Sequence, residues 1–312
     1  MNSKKKRIYI TGVSGFIGSR IAKLCLERGF KVTGITRSSA ADVTKELGIE
    51  VIEADLNDQN NLVLDSAETI IHCATANDIL SKKVSDGLSL SIIGTSKILE
   101  ASRNAKISNI IFFSTAQVYG TELNGYFDES TTVDCKSPYG INHYLGEELC
   151  KFYCKEYDVN ITALRPSNIY GLPEISSVNR KTLVPMCFVD EAIKHASITL
   201  RSSGKQIRNF ISLDQLAGIV LETIYNFPRG FSLRNCGSNY YPSMIEIVDI
   251  VSNQYQKLYK KKLTINIESD QPHTPNIFQY NSKFGKYHST KKDCINNLEN
   301  IINKLFKLWS KK

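Results

Sequence analysis

The 312-residue sequence predicts an α/β fold, a doubly wound parallel sheet with a smaller C-terminal cap. Three observations predict it. A glycine-rich turn, Gly12 to Gly18, joins a short apolar run to a helical pattern; apolar runs and helical stretches then alternate as far as Arg165; and beyond Tyr170 the alternation breaks into short, proline-punctuated pieces. Alternation of that kind builds parallel strands joined by crossover helices.

The first βαβ unit begins with Ile8, Tyr9 and Ile10 as a buried strand. Gly12, Gly15 and Gly18 let the backbone turn tightly, approach a ligand and pack a helix closely, while Phe16, Ile17 and Ile21 give that helix, Ser19 to Arg28, an apolar face. Its unpaired N–H groups and positive dipole end suit a pyrophosphate. Phe30 to Ile35 forms the second strand. Val51 and Ile52 form a third, Ile70 to Cys73 a fourth, and a helix from about Leu88 to Asn104 leads to the buried strand Asn109 to Ser114. Ser137-Pro138-Tyr139 opens a helix reaching about Tyr157, and Asn160 to Arg165 is the next strand.

Ligands of such sheets gather at the carboxyl ends of the strands. In the first turn this selects Gly12, Ser14, Gly15, Phe16, Ile17 and Gly18 for a dinucleotide. At the next two strand ends it selects Arg37, Ser38, Asp55 and Leu56; at the fourth, Cys73, Ala74 and Thr75; and at the fifth, the segment Ser114 to Tyr119.

Composition narrows the classes. The formal net charge is +8, yet the lysines are scattered apart from clusters at 4–6 and 260–262, so no nucleic-acid partner is expected. A positive field instead draws in an anionic cofactor or a diphosphate. No run of eighteen apolar residues and no hydrophobic leader is present, which points to a cytoplasmic chain without membrane contact. The eight cysteines lack CxxC spacing and read as reduced core residues. His195, His273 and His288 have no zinc-ligand spacing, no metal is expected, and His72 is expected to pack beside the cofactor strand.

Several segments, in order, match a family. TGVSGFIG (11–18), IIHCAT (70–75), IIGTSKILEA (92–101), STAQVYG (114–120), SPYG (137–140), LRPSNIYG (164–171) and QIRNFISLDQLA (206–217) span nearly the whole chain. On them the chain resembles the extended short-chain dehydrogenase/reductases, the NAD-dependent epimerase/dehydratase group that modifies nucleotide sugars. The resemblance implies a Rossmann-type domain, residues 1–170 with part of 205–235, and a discontinuous substrate-binding cap, residues 171–204 and 236–312. It implies a catalytic Tyr139 as acid and base on a sugar hydroxyl, Thr115 as the hydroxyl residue bonding the same oxygen, and Asn168 and Arg208 at the substrate diphosphate. It also implies a homodimer through the helices Leu88 to Asn104 and Tyr139 to Tyr157.

The chain departs from the family where a lysine is expected. The family writes YxxxK, and position 143 is histidine. A free tyrosine has a pKa near ~10, and adjacent positive charge normally lowers it. His143 shares a helix face with Tyr139, but histidine is mostly neutral at pH 7 and shorter than lysine. Three readings stand: His143 acts in the lysine's place, Lys151 or Lys155 intrudes from two or more turns away, or hydride chemistry is absent. Ala116 and Gln117 replace the Asp-Glu pair of dehydratases, which disfavours 4,6-dehydration. Ser91 stands for the asparagine of NVxGT, and Gln271 for a second diphosphate arginine.

At the end of the second strand, Thr36-Arg37-Ser38-Ser39 offers a cation and hydroxyls where NAD-specific chains carry an acid. NADP(H) is therefore favoured over NAD(H), with Asp55 accepting from the adenine amino group. The expected enzyme is an NADPH-dependent reductase of a 4-keto nucleotide sugar, with His143 assisting Tyr139. Its alternatives are an epimerase that retains its cofactor and a noncatalytic dinucleotide sensor.

Overall fold

The computed structural model describes residues 6–38, 40–58, 60, 62–268, 277–285, 287 and 289–310. Strand β1 (Arg7–Thr11), helix α1 (Phe16–Glu27), β2 (Lys31–Thr36), α2 (Ala40–Leu47), β3 (Glu50–Glu53) and β4 (Thr69–His72) open the chain. A helical run follows as α3 (Val84–Leu88), a π-helical turn (Ser89–Ile93) and α4 (Gly94–Asn104), then β5 (Asn109–Phe113) and the short β6 (Gly125–Phe127). Next come α5 (Pro138–Tyr157), β7 (Asn160–Pro166), β8 (Asn168–Tyr170), α6 (Met186–His195), β9 (Ser197–Leu200) and β10 (Phe210–Ser212). The chain continues with α7 (Leu213–Tyr225), β11 (Phe231–Cys236), α8 (Met244–Tyr259), β12 (Thr264–Ile267), β13 (Phe278–Tyr280) and α9 (Lys291–Trp309).

Seven strands form one parallel sheet in the order β11-β7-β5-β4-β1-β2-β3. The order reverses between β1 and β4, where Thr11 lies opposite His72. Such a reversal opens a crevice at the carboxyl ends of the two strands. Alternate residues of the strands supply the two buried faces. Ile8, Ile10, Ile71 and Ile111 join α1 and α7 on one side; Tyr9, Ile35, Ile70, Ile110, Phe112 and Ala163 join α4 and α5 on the other. Burial on both faces explains the apolar runs by which these strands are recognised.

A further apolar core lies among α6, α8 and α9, with Phe188, Val189, Val248, Val251, Leu298, Ile302 and Phe306 at its centre. Phe16 of α1 and Tyr170 of β8 enter it as well, so the expected cap is packed directly onto the glycine turn. The smaller pair β13·β6 ties a late strand to the segment that follows β5.

Two expected helix starts move. Helix α1 begins at Phe16 rather than Ser19, because Gly15 in extended conformation is already its N-cap. The helix expected from Leu88 starts at Val84 and passes through the π-helical turn containing Ser91, an extra residue per turn that the 3.6-residue period does not reveal.

Candidate functional site

The glycine turn fits a phosphate group. Gly12 adopts φ +64°, and a Cβ there would stand 3.1 Å from the backbone of Cys73 and Ala74 at the exit of β4. A Cβ on Gly18 would meet the Gly12 carbonyl oxygen at 2.4 Å, so only glycine lets α1 lie this close to the turn. Gly15 caps α1 without a side-chain hydrogen bond, and no acidic residue occupies the first turn. The N–H groups of Phe16 and Ile17 therefore remain available to an anion.

Thr11 locks the turn to β4. Its hydroxyl oxygen accepts from the N–H groups of Cys73 and Ala74, each at 3.1 Å, and faces His72 Nδ1 at 2.7 Å. His72 Nε2 faces Thr95 Oγ1 at 3.0 Å, while the Thr95 hydroxyl donates to the Ser91 carbonyl at 2.5 Å. The proton positions follow: Nε2–H donates to Thr95, and Thr11 donates to Nδ1. Ser91 Oγ in turn accepts from Ala76 N–H at 3.1 Å, so this serine holds the β4 exit loop from the π-helical turn. His72 does pack beside the cofactor strand, but as the centre of a relay that sequence reading does not anticipate.

At the adenosine end, a cavity of about 160 Å3 brings together Gly12, Ser14, Arg37, Ser38, Asp55, Leu56 and Ala74. A wider hollow of about 950 Å3 lies at the amino ends of β1 and β2, remote from this chemistry. Thr36 donates to the Ser38 carbonyl at 2.8 Å and shares a 2.7 Å hydrogen bond with Ser14, for which Ser14 supplies the proton. Arg37 and Ser38 are exposed. One Asp55 oxygen accepts from Asn57 N–H at 2.9 Å, leaving the other for a donor such as an adenine amino group. Ser39 lies outside the described residues. These groups fit a dinucleotide with its pyrophosphate on α1 and its adenosine between β2 and β3.

The catalytic candidates meet at the ends of β5 and β4. Ser137 caps α5 by accepting from Gly140 N–H at 3.1 Å, with Pro138 in the first turn. A Cβ on Gly140 would come within 2.7 Å of the Gln117 carbonyl, and one on Gly146 within 2.5 Å of the Phe112 ring. Both glycines let α5 lie close to β5 and its exit turn. Burial pushes the Tyr139 phenol pKa above its ordinary value, and the neighbouring Thr115 hydroxyl pulls it down by less. Thr115 also accepts from Gln117 N–H at 3.2 Å.

His143 is buried, its ring centroid 4.4 Å from that of Tyr139. Its Nδ1 lies 3.0 Å from the Tyr139 carbonyl oxygen and its Nε2 3.2 Å from Thr75 Oγ1. A carbonyl only accepts, so Nδ1 carries the proton and Nε2 accepts from Thr75. Burial lowers the pKa to about 4 against the opposing backbone bond, which leaves the ring neutral at pH 7. His143 thus supplies geometry without the charge of a lysine. Lys151 is no substitute, since it pairs with Glu148 at 2.5 Å and lies over the Tyr144 and Phe231 rings.

The two buried imidazoles make acid stability a test. Burial, with the unfavourable coupling to a second imidazole at His143 adding to it, lowers the His72 pKa to about 3. The unfolded chain protonates both near pH ~6.5 while the folded chain does not, so their contribution is complete above that value and is lost as the pH falls towards 4. Urea midpoints at pH 7.5 and pH 5 read this as a lower midpoint at pH 5; equal midpoints would refute the neutral assignment.

On the substrate side, Asn168 opens β8 and is exposed, its amide donating to the Asn209 carbonyl at 2.8 Å. Arg208 lies just before β10, which pairs with β8 through Phe210 opposite Asn168, so the two expected diphosphate residues sit at neighbouring strand entries. Arg208 is exposed and has no ion pair among the described residues. Ala116 is buried in an apolar cluster and cannot move a proton. Gln271, His273 and His288 lie outside the described residues. All eight cysteines are free thiols, and among the described residues no three His, Cys, Asp or Glu side chains form a metal-ligand group. Sequence reading missed Glu147, which receives Arg165 Nε at 2.8 Å and Nη2 at 2.5 Å and Ser114 Oγ at 2.5 Å, all buried next to Thr115. Glu147 belongs to no recognisable motif.

A sheet of this order with a glycine turn at its reversal defines the class, a dinucleotide-binding α/β protein. The sequence then supplies the family. The model of the NAD dependent epimerase/dehydratase family matches residues 8–231, and the chain belongs to that family. A UDP-glucose 4-epimerase of Mycoplasma genitalium is 28% identical over 309 residues, covering 90% of each chain. A dTDP-D-glucose 4,6-dehydratase of Dictyostelium discoideum is 26% identical over 274 residues, covering 75% of this chain and 62% of its own. Among solved structures, a UDP-N-acetylglucosamine 4-epimerase from Methanobrevibacter ruminantium in complex with UDP-N-acetylmuramic acid superimposes with TM-score 0.83 at 21% identity, covering 98% of this chain and 99% of that one. The chain is an enzyme of the short-chain dehydrogenase/reductase type. No helix among the described residues is long and apolar enough to cross a membrane.

Proposed function

We propose that the protein epimerises a nucleotide-diphosphate sugar at C4 and retains its dinucleotide throughout. The observation that carries this reading is the approach of the Tyr139 phenol to the Thr115 hydroxyl at the end of β5, flanked by Ala116 and Gln117 rather than by an acid pair. Bound nicotinamide supplies the acceptor and donor of hydride for the sugar carbon. Tyr139 takes the proton of the sugar hydroxyl and later returns it, Thr115 orients the same oxygen, and Arg208 with Asn168 holds the diphosphate. Without a carboxyl group at position 116 or 117 there is no acid to expel the C6 hydroxyl, so elimination of water is disfavoured. Epimerases among the relatives support this alternative over the net reduction expected from sequence.

The finer cofactor reading is NADP(H), supported by exposed Arg37 and by a Thr36 hydroxyl committed to Ser38 in place of a carboxylate. A homodimer is supported by Ile141, Leu145 and Phe152, which are exposed along one face of α5, and by exposed Ile93 on the neighbouring helical run. The cytoplasm is the proposed location. Purified protein is to be incubated with single UDP-hexoses and the products separated by anion-exchange chromatography. A C4-epimer forming without change at 340 nm, NADP released on denaturation and a mass of two chains by light scattering are expected. Consumption of added NADPH would favour reduction instead, and released NAD would overturn the role of Arg37.

A further inference from the structure

A third cavity lies at the edge strand β11, between α7 and the stretch that carries Ser282, Phe284, Tyr287 and Ser289. It holds about 390 Å3, within the roughly 300–1,000 Å3 of small-molecule sites. Strand β7 separates β11 from β5, a distance of roughly 10 Å, and the cavity opens on the α7 face of the sheet while Tyr139 belongs to α5 on the other. It is therefore separate from the dinucleotide and Tyr139 site described above.

Its walls are fixed. Glu129 accepts from Ser282 Oγ and from Lys283 N–H, each at 2.9 Å; Asn239 Nδ2 donates to the carbonyls of Tyr287 at 2.7 Å and Ser289 at 2.9 Å; and Gln215 Nε2 donates to Ser289 Oγ at 2.5 Å. Gly218 lies on the lining face of α7, and a Cβ there would meet nothing within 4 Å, so no close contact requires a glycine that a helix interior disfavours. One turn on, Glu222 receives Arg234 Nη2 at 2.6 Å, which leaves Glu222 Oε1 and Arg234 Nε and Nη1 without a partner among the described residues. Arg234 is nearly buried, yet neither free nitrogen is sealed from solvent, and the hollow is what this side chain lines. The Phe284 ring carries that guanidinium at 5.3 Å, is 44% exposed and belongs to none of the apolar cores.

These groups select a class of ligand. Glu222 and Arg234 are the charged residues of the lining and cancel in one ion pair, so an anion or a cation gains no net attraction there. What fits is a neutral molecule with many donors and acceptors and one apolar face. Polar groups reach the hollow from three elements: Glu222 from α7, Arg234 from β11, and the hydroxyls of Tyr287 and Ser289 from the closing stretch. A nucleobase holds its polar groups in one plane, whereas a pyranose carries hydroxyls all round its rim and offers a face of C–H groups to an aromatic ring. We propose that this cavity is a second carbohydrate site, which takes a neutral hexopyranose against Phe284 with its hydroxyls on Glu222 and Arg234. No catalytic group enters the argument, so it stands apart from the epimerase reading.

The test is saturation-transfer NMR on the full chain with methyl glucopyranoside, methyl galactopyranoside and methyl N-acetylglucosaminide, with titration calorimetry for affinity. Transfer to at least one glycoside is expected, with a Kd of about 1–10 mM. Phe284→Ala, which removes the ring, and Gly218→Leu, which fills the hollow and favours the helix, should each weaken it at least tenfold without lowering Tm or turnover. Glucosamine and glucuronate, which carry charge, should bind more weakly than the neutral glycosides. No transfer to any of the three glycosides would overturn the proposal. So would transfer indifferent to both variants, which would place the sugar elsewhere, or uridine or a charged sugar binding as tightly as the neutral ones. Absence of epimerisation with glycoside binding intact would count against the reaction and leave this site in place.

Discussion

Glu147→Ala is expected to lower the stability by about 3–5 kcal/mol, on the order of 10 °C in Tm. Arg165 and Glu147 are 1% and 0% exposed, and the pair is bidentate through Nε and Nη2. Burial alone would favour loss of the Arg165 proton, but Glu147 outweighs it and holds the guanidinium more firmly charged than usual. Removing the carboxylate leaves that charge in the interior with Tyr119 as its remaining partner, at 2.7 Å from Nη1. The effect belongs to an uncompensated charge rather than to the worth of an ion pair, so Glu147→Leu combined with Arg165→Met should recover most of the loss. Thermal unfolding of the three variants decides it; a single variant as stable as the parent would show that water reaches Arg165. Because Glu147 also receives Ser114, next to Thr115, and sits two turns along α5 from Tyr139, the single variant should lose turnover even where it remains folded.

The parts of the fold that could be read in advance are those in which one short stretch dictates its own structure. Gly12, Gly15 and Gly18 announce a turn because no other residue type tolerates the contacts made there, and the strands β1, β2, β4, β5 and β7 are apolar because helices cover both their faces. Ser137-Pro138 marks the start of α5 through the same capping chemistry the structure shows. What escaped prediction depends on residues far apart in sequence. The Thr11–His72–Thr95–Ser91 relay joins β1, β4, α4 and the π-helical turn, and nothing local distinguishes its threonines from surface ones. Glu147 resembles any helical glutamate until β7 places Arg165 against it. The substitution of histidine for lysine at position 143 was legible, whereas the consequence was not: neutrality follows from burial, which outweighs the opposing Tyr139 backbone bond and which only the folded chain supplies.

Tyr139→Phe should lower kcat by about 10²–10⁴-fold with little change in KM, the range that loss of a positioned general acid and base produces. The substitution keeps the ring that lies against His143 at 4.4 Å and removes only the phenol oxygen, so packing is a poor explanation for the loss. The pH dependence gives the sharper discrimination. A phenol abstracts a proton only when ionised, and burial holds this one above its ordinary value despite the neighbouring Thr115 hydroxyl. The rate should therefore rise with pH from neutrality into the alkaline range, approaching tenfold per pH unit in kcat/KM while the phenol remains mostly protonated, and the residual rate of the Phe variant should be flat. His143 adds no acid limb in that range, because its pKa of about 4 leaves it neutral throughout. A Phe variant within tenfold of the parent, or a parent profile that bends near pH 6.5, would transfer the proton chemistry from Tyr139 to a histidine and remove the physical basis of the proposed reaction.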